Sequence, residues 1–132
     1  MIDKRYLSAG KTIYKLYHGY NFNPLIEGLK NMNLTLITFY QSSGSLRLWF
    51  INELKPSQRI FISETNKKHI EVSIFTQNIP GEITFPYHRD SLFISDYYQK
   101  ENNLYIIDLQ KIYNAINELT VAFERKINEN LG

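Results

Sequence analysis

The sequence predicts an α+β fold in which a long C-terminal amphipathic helix packs on one face of an antiparallel sheet. The last segment contains no Gly or Pro before Gly132, and its apolar residues recur every three or four positions, which is typical of an amphipathic helix. Those residues are Leu109, Ile112, Ile116, Leu119, Phe123 and Ile127. Upstream of it, short segments alternate polar residues with Tyr, Phe and Ile, which is typical of strands. With 132 residues, 43% of them hydrophobic, residues 1–132 are expected to form a single domain.

Two short helices are expected before the sheet. Between residues 6 and 20, apolar side chains recur at helical spacing with basic side chains opposite them, which predicts a basic amphipathic helix. The pair Asn23-Pro24 predicts a second helix, because Asn suits the capping position and Pro suits the first helical position. This second helix should end near Asn31 or Asn33.

An antiparallel sheet of five to seven strands is expected to follow. Turn-forming residues separate the strand candidates, and Pro80-Gly81 is expected to form a type II turn. The alternation is clearest after His69, where Ile70, Val72 and Ile74 share one face. The predicted strands are residues 34–40, 46–52, 59–64, 69–77, 82–85, 92–94 and 104–107. The long helix should begin near Asp108, whose carboxylate suits an N-cap.

Composition narrows the class of protein. The chain has no cysteine, which excludes zinc ribbons, thiol nucleophiles and disulfide frameworks. Its first residues are too polar for a signal peptide, and no stretch approaches the apolar length of a membrane span, so we expect a soluble cytoplasmic protein that does not contact a membrane. Abundant Ile, Asn, Lys and Tyr with scarce Ala indicate A/T-rich coding DNA, as in a low-GC genome or a mobile element.

The charge and the aromatic content give the N-terminal segment one candidate role. The net charge is only +2, but basic residues are concentrated in the first half of the chain and acidic residues in the second. Tyrosines interleave with the N-terminal basic residues, and such a pattern can stack on and neutralise single-stranded nucleic acid. The candidate nucleic-acid-binding residues are Lys4, Arg5, Lys11, Tyr14, Lys15 and Tyr17. Because the total basic excess is small, this is the alternative hypothesis.

The leading hypothesis is a protein-binding module, of the inhibitor or immunity type that neutralises a partner such as a toxin. Tyr and Trp are enriched at interaction hot spots, and aromatic residues make up 14% of this chain. In a strand, two adjacent tyrosines point to opposite faces, so at least one of Tyr97 and Tyr98 should be available to a partner. Together with the flanking acids, the candidate partner-binding residues are Asp96, Tyr97, Tyr98 and Glu101.

An enzyme is the third hypothesis, either RNA-cleaving or ligand-binding. His18, His69 and His88 have the chemistry for a metal site or an acid–base pair, but none lies at metal-ligand spacing from another. No catalytic constellation, metal site or cofactor motif can be read from the sequence, so no catalytic residue and no cofactor are predicted. The absence of such motifs is what places a binding role first.

Overall fold

A computed structural model describes residues 23–42, 45–66, 69–101 and 104–131 of the chain. The fold is α+β, as predicted. Two helices and seven strands are found in this part of the chain, and each is numbered in chain order. They are α1 (Asn23–Asn31), β1 (Leu34–Ser42), β2 (Ser45–Asn52), β3 (Gln58–Asn66), β4 (His69–Thr76), β5 (Arg89–Ser95), β6 (Tyr98–Glu101), β7 (Leu104–Ile107) and α2 (Leu109–Leu131).

The first five strands form one antiparallel sheet, in which neighbours in sequence are also neighbours in space. Strands β6 and β7 form a separate antiparallel pair. The strand predicted at residues 82–85 is wrong, because this segment is a loop. There the Phe85 backbone donates to and accepts from the Asn78 side chain instead of a neighbouring strand, at 2.8 and 2.9 Å. The Pro80-Gly81 turn is confirmed: Glu82 N donates to Ile79 O at 3.1 Å, and Gly81 has φ 85°.

The C-terminal helix α2 runs for 23 residues and packs on β4 and β5, as predicted for a helix that covers one sheet face. Its predicted apolar stripe is buried from Ile112 to Ile127, with Leu109 partly buried at the start. The stripe meets aliphatic side chains of the sheet, including Ile70, Val72 and Ile74. Asp108 Oδ1 accepts from Lys111 N at 3.3 Å, so Asp108 caps this helix as expected.

Only one of the two expected N-terminal helices falls within the described residues. Helix α1 begins at Asn23 and ends at Asn31, followed by a turn in which Asn33 takes the left-handed conformation at φ 64°. It contacts α2 where Gly28 faces Tyr113: a Cβ on Gly28 would lie 1.7 Å from the Tyr113 hydroxyl oxygen, so the absence of a side chain permits this approach. The helix predicted at residues 6–20 lies outside the described residues.

A bulge in β1 sets which residues face the core. The pairing of β1 with β2 shifts between Leu36 and Thr38, which inserts one extra residue at Ile37. Leu34 and Leu36 are therefore buried on the same side of the sheet as Phe39, while Tyr40 is exposed.

Within the described residues, no helix is both long enough and apolar enough to cross a membrane.

Candidate interaction surface

The sheet face turned away from α2 carries mainly aromatic, charged and hydroxyl side chains, whereas the inner face is mainly aliphatic. We call this surface the outer sheet face. Strand register brings its residues together as cross-strand partners. Trp49 pairs with Phe61, for example, and Arg59 pairs with Phe75. Its aromatic, arginine and glutamate side chains are Tyr40, Arg47, Trp49, Arg59, Phe61, Glu71, Phe75, Arg89 and Phe93.

The centre of the outer sheet face is an aromatic cluster. Trp49 and Phe61 are register partners on β2 and β3, and their rings lie 4.9 Å apart at 44°. With Phe75 and the exposed Tyr87, these rings border a shallow depression of about 500 Å³. Trp49, Phe61 and Phe75 are each half-buried, so part of every ring remains open to solvent. Aromatic side chains that keep such exposure offer apolar area to a binding partner.

Arg89 completes this cluster and is held in a fixed position. Its guanidinium carbon lies 5.9 Å from the centre of the Phe61 ring, within the range of a cation–π contact. Nη2 of Arg89 donates to Glu71 Oε1 at 3.0 Å and to Ser73 Oγ at 3.3 Å. Ser73 Oγ also donates to Glu71 Oε1 at 2.9 Å. The network orients the guanidinium over the ring, and it partly neutralises the Arg89 charge.

The other two arginines of the outer sheet face differ in their freedom. Arg59 Nε donates to the Pro56 carbonyl at 3.2 Å, and burial lowers the pKa of this guanidinium. Arg47 is exposed on β2 beside Tyr40, its register partner, and no ion pair of Arg47 is found among the described residues. Arg47 is therefore the cation of this face that is most available to a partner.

A polar cluster lies on the other side of the sheet, where β5 meets α2. Asp90 Oδ1 accepts from Lys126 Nζ at 3.0 Å, and Asp90 Oδ2 lies 2.9 Å from His88 Nε2. The His88 ring packs 5.5 Å from the Phe123 ring. Burial alone would raise the pKa of Asp90, but hydrogen bonds from Lys126 and His88 outweigh it and lower the pKa. This cluster ties the helix to the edge of the sheet.

The structure places Tyr97 in the core, with 0% of its surface exposed. Asp96 before it takes the left-handed conformation at φ 50°, and the two carbonyls are tied to the start of α2. Lys111 Nζ donates to Asp96 O at 2.9 Å, and Asp108 N donates to Tyr97 O at 2.7 Å. Tyr97 therefore packs inside the fold, and its side chain is not part of an accessible partner-binding surface.

The other predicted site residues are spread over different parts of the chain. Asp96 is exposed in the turn between β5 and β6. Tyr98 and Glu101 lie at the two ends of β6, paired with β7, and a role for them in partner binding stays a prediction. The six candidate nucleic-acid-binding residues lie outside the described residues: Lys4, Arg5, Lys11, Tyr14, Lys15 and Tyr17.

Sequence reasoning missed the outer sheet face, although a signal for it exists. Trp49, Phe61 and Phe75 each lie at the outward position of an alternating strand, between two buried residues. Large aromatic residues at outward positions of three consecutive strands are the pattern that could have located the surface.

Among the described residues, no three His, Asp or Glu side chains are close enough to hold a metal ion.

Comparison with known proteins identifies no relative: no protein-family model matches the chain, and neither does any curated protein or solved structure.

Proposed function

We propose that this protein is a protein-binding module whose interface is the outer sheet face. The observation that carries the proposal is the half-buried aromatic cluster of Trp49, Phe61 and Phe75 with Arg89 fixed over it. Trp, Tyr and Arg are the residues most enriched among binding hot spots, where they fill pockets of the partner and lose water on contact.

The sheet is a suitable platform for such an interface. The inner sides of the same strands are buried in the hydrophobic core, which also includes residues of α1 and α2, so the backbone that carries the aromatic cluster is fixed by the core. Arg89 is further held by Glu71 and Ser73. Little conformational freedom then remains to be lost on binding, and this favours affinity.

The charges of the outer sheet face indicate the chemistry of the partner. Three arginines stand against one carboxylate there, and that carboxylate, Glu71, is already paired with Arg89. The free cation Arg47 lies beside exposed Tyr40. We therefore expect a partner surface that presents carboxylates around an apolar centre, since complementary charge speeds association and excludes other partners.

The same charges favour a protein over a nucleic acid. A phosphate-binding surface needs several accessible cations, since each neutralised phosphate adds to the affinity. On the outer sheet face, Arg89 is occupied by a carboxylate and Arg59 by a backbone carbonyl, which leaves Arg47.

An inhibitor or immunity-type role is the particular form of this proposal that we favour. A rigid surface with preset aromatic anchors is the property that a tightly binding inhibitor needs. The partner would then be an enzyme or toxin with acidic residues near its active site.

Site-specific photo-crosslinking in the native host tests the proposal. A photoreactive phenylalanine analogue replaces Phe93 or Tyr87, which are 72% and 70% exposed at or beside the outer sheet face. The control positions are Val121 on the outer side of α2 and Leu54 in the β2–β3 loop, 59% and 74% exposed. Because all four side chains are similarly exposed, a difference in crosslinking between them reports a specific interface and not non-specific crosslinking of exposed residues.

The expected result is one protein crosslinked at Phe93 and Tyr87 and not at the two control positions. The Arg47→Glu change should then weaken binding of that purified protein by about tenfold or more, because it reverses an interface charge. Crosslinks at Val121 and Leu54 of equal yield would contradict the interface, and crosslinked RNA in place of protein would support the nucleic-acid alternative.

A further inference from the structure

A second cavity opens at one end of the sheet, on the side that α2 covers. We call it the end cleft. It lies between the β2–β3 loop, the C-terminal half of α2 and the loop of residues 77–88, and its volume is about 660 Å³. That volume is within the range of small-molecule binding sites, roughly 300–1,000 Å³.

The lining of the end cleft is mostly apolar. Phe123 and Ile127 of α2 form its buried base, and half-buried Phe85 forms a side wall. Ile83 lies at its edge and is 72% exposed. An isoleucine left in water at the edge of an apolar cavity gains contact when a ligand enters, because apolar surface is then removed from water.

A pair of buried polar residues stands among these apolar groups. Gln58 and Thr76 are register partners on β3 and β4, and both line the end cleft. The Gln58 side chain accepts from Asn52 Nδ2 at 3.3 Å and also hydrogen-bonds Glu124. Thr76 is only 6% exposed, and its hydroxyl has no hydrogen-bond partner among the described residues. Buried hydroxyls are normally hydrogen-bonded, so a polar group of a ligand would supply the missing partner.

The wall formed by the loop of residues 77–88 is held in shape without a ligand. The Asn78 side chain binds both the N–H and the C=O of Phe85, at 2.8 and 2.9 Å. The type II turn from Ile79 to Glu82 closes the tip of the loop. The backbone around the cavity is therefore preorganised, which is usual for small-molecule sites.

The charges at the mouth of the end cleft disfavour an anionic ligand. Lys55 is paired with Glu124, and the hydrogen bond from Lys55 lowers the pKa of Glu124 against the opposing effect of burial. Glu82 also lines the cavity. Lys55 is the only cation among the lining residues that the structure describes, and it is already neutralised.

We propose that the end cleft binds a small uncharged ligand that is mainly apolar or aromatic and carries one hydrogen-bonding group, which pairs with the Thr76 hydroxyl. The end cleft and the depression on the outer sheet face share only Thr76 among their described lining residues, and the ligand proposal does not depend on the protein-binding proposal.

Two fluorescent probes of the same skeleton test the ligand class. N-phenyl-1-naphthylamine is uncharged and has one N–H, and 8-anilino-1-naphthalenesulfonate is the same molecule with an added sulfonate. Titration of the full chain should show saturable binding of the uncharged probe at one site per chain. The sulfonate probe should bind about tenfold more weakly or worse, because Glu82 repels it and the described lining residues offer no unpaired cation to compensate.

Two matched serine variants locate the bound probe. Ile83→Ser and Leu54→Ser remove equally exposed apolar side chains, 72% and 74% exposed, but only Ile83 lines the end cleft. Ile83→Ser should weaken the uncharged probe by about fivefold to tenfold through lost apolar contact, and Leu54→Ser should leave binding unchanged. Thr76→Val keeps the shape of the side chain and removes its hydroxyl. It should weaken binding of the uncharged probe without changing the melting temperature of the protein.

Three results would overturn the proposal. They are no saturable binding of the uncharged probe, equal effects of Ile83→Ser and Leu54→Ser, and equal or tighter binding of the sulfonate probe. If a normally folded Thr76→Val variant binds the probe with unchanged affinity, the Thr76 hydroxyl does not contact the ligand as proposed. An Asn128→Trp variant gives a further check, since Asn128 is exposed at the cleft and a bulky side chain there should block the probe.

Discussion

The two faces of the five-stranded sheet are built by alternate residues of the same strands, yet their chemistry is opposite. On the inner face, Leu48, Ile62 and Val72 are buried and aliphatic. On the outer sheet face, their chain neighbours Trp49, Phe61 and Glu71 are aromatic or charged and remain partly exposed.

This difference shows what each face is built to contact. Branched aliphatic side chains fill space without polar atoms, which suits permanent packing against α2. Tyr, Trp and Arg side chains combine apolar area with a polar or charged group. They can therefore remain exposed to solvent in the free protein, and burial of their apolar area favours binding when a partner is present.

The largest effect is expected from a charge placed on the inner side. Ile116 of α2 is buried against the sheet, whereas Asn117 beside it is exposed. Ile116→Asp should unfold the domain, because a buried unpaired carboxylate costs several kcal/mol out of a typical stability of about 5–15 kcal/mol. Asn117→Asp should change the melting temperature little. Equal melting temperatures for the two variants would contradict the assigned helix face.

Truncating one phenylalanine on each face compares them directly. Phe50 is buried in the core, and Phe61 is half-buried on the outer sheet face. Phe50→Ala should cost about 3–5 kcal/mol of unfolding free energy, as for other buried phenylalanines. Phe61→Ala should cost about 1 kcal/mol, in the range typical of point mutations outside the core. Urea denaturation measures both, and a Phe61→Ala cost as large as that of Phe50→Ala would mean that the outer sheet face is itself core.

A smaller, pH-dependent effect is expected at Asp90. Its pKa is lowered in the folded state, so its ionised carboxylate stabilises the fold above about pH 4, the ordinary value, and this stabilisation is lost as the pH falls through the lowered pKa. The stability difference between the wild type and Asp90→Asn should therefore be largest near neutral pH and shrink in acid. Thermal melts between pH 2 and pH 7 measure it.

Lys126→Ala provides the control for Asp90. It removes one of the hydrogen bonds that lower the Asp90 pKa, so the loss of stability in acid should be smaller and should be complete at a higher pH than in the wild type. Stability curves of the wild type and Asp90→Asn that run parallel over the whole pH range would show that Asp90 does not carry this dependence.

The smallest effect on stability is expected from Glu71→Gln. The change removes the charge that pairs with Arg89 at the surface, and an exposed ion pair is worth about 0–1 kcal/mol. The same variant should strengthen binding of an acidic partner protein, because the Arg89 charge is then no longer neutralised. A large loss of stability would show that the Glu71–Arg89 pair is structural.

Much of the fold could be predicted from local patterns. The spacing of Ile112, Ile116 and Phe123 gave the buried stripe of α2, and Asp108 gave its cap. Asn23-Pro24 located the start of α1. These predictions hold because a helix face and a helix cap depend on residues within one or two turns of each other.

The features that the sequence did not predict depend on longer-range geometry. The loop at residues 82–85 has the apolar content of a strand, but the Asn78 side chain takes its hydrogen bonds. The left-handed residue Asp96 redirects the chain and Tyr97 enters the core, so which of the two adjacent tyrosines is buried depends on a backbone turn that the sequence pattern does not show. The outer sheet face and the end cleft arise from strand register and loop position, which no single segment encodes.

The central claim is that the outer sheet face is the interface, and Trp49 allows it to be measured directly. Trp49 is the only tryptophan of the chain and lies in the aromatic cluster. Acrylamide quenching of its emission can be recorded with and without the protein captured by crosslinking, using a tryptophan-free variant of that partner if needed. The account predicts that the partner protects Trp49 from quenching and that Arg47→Glu reduces this protection at a fixed partner concentration. A complex that forms while Trp49 stays as quenchable as in the free chain would contradict the account.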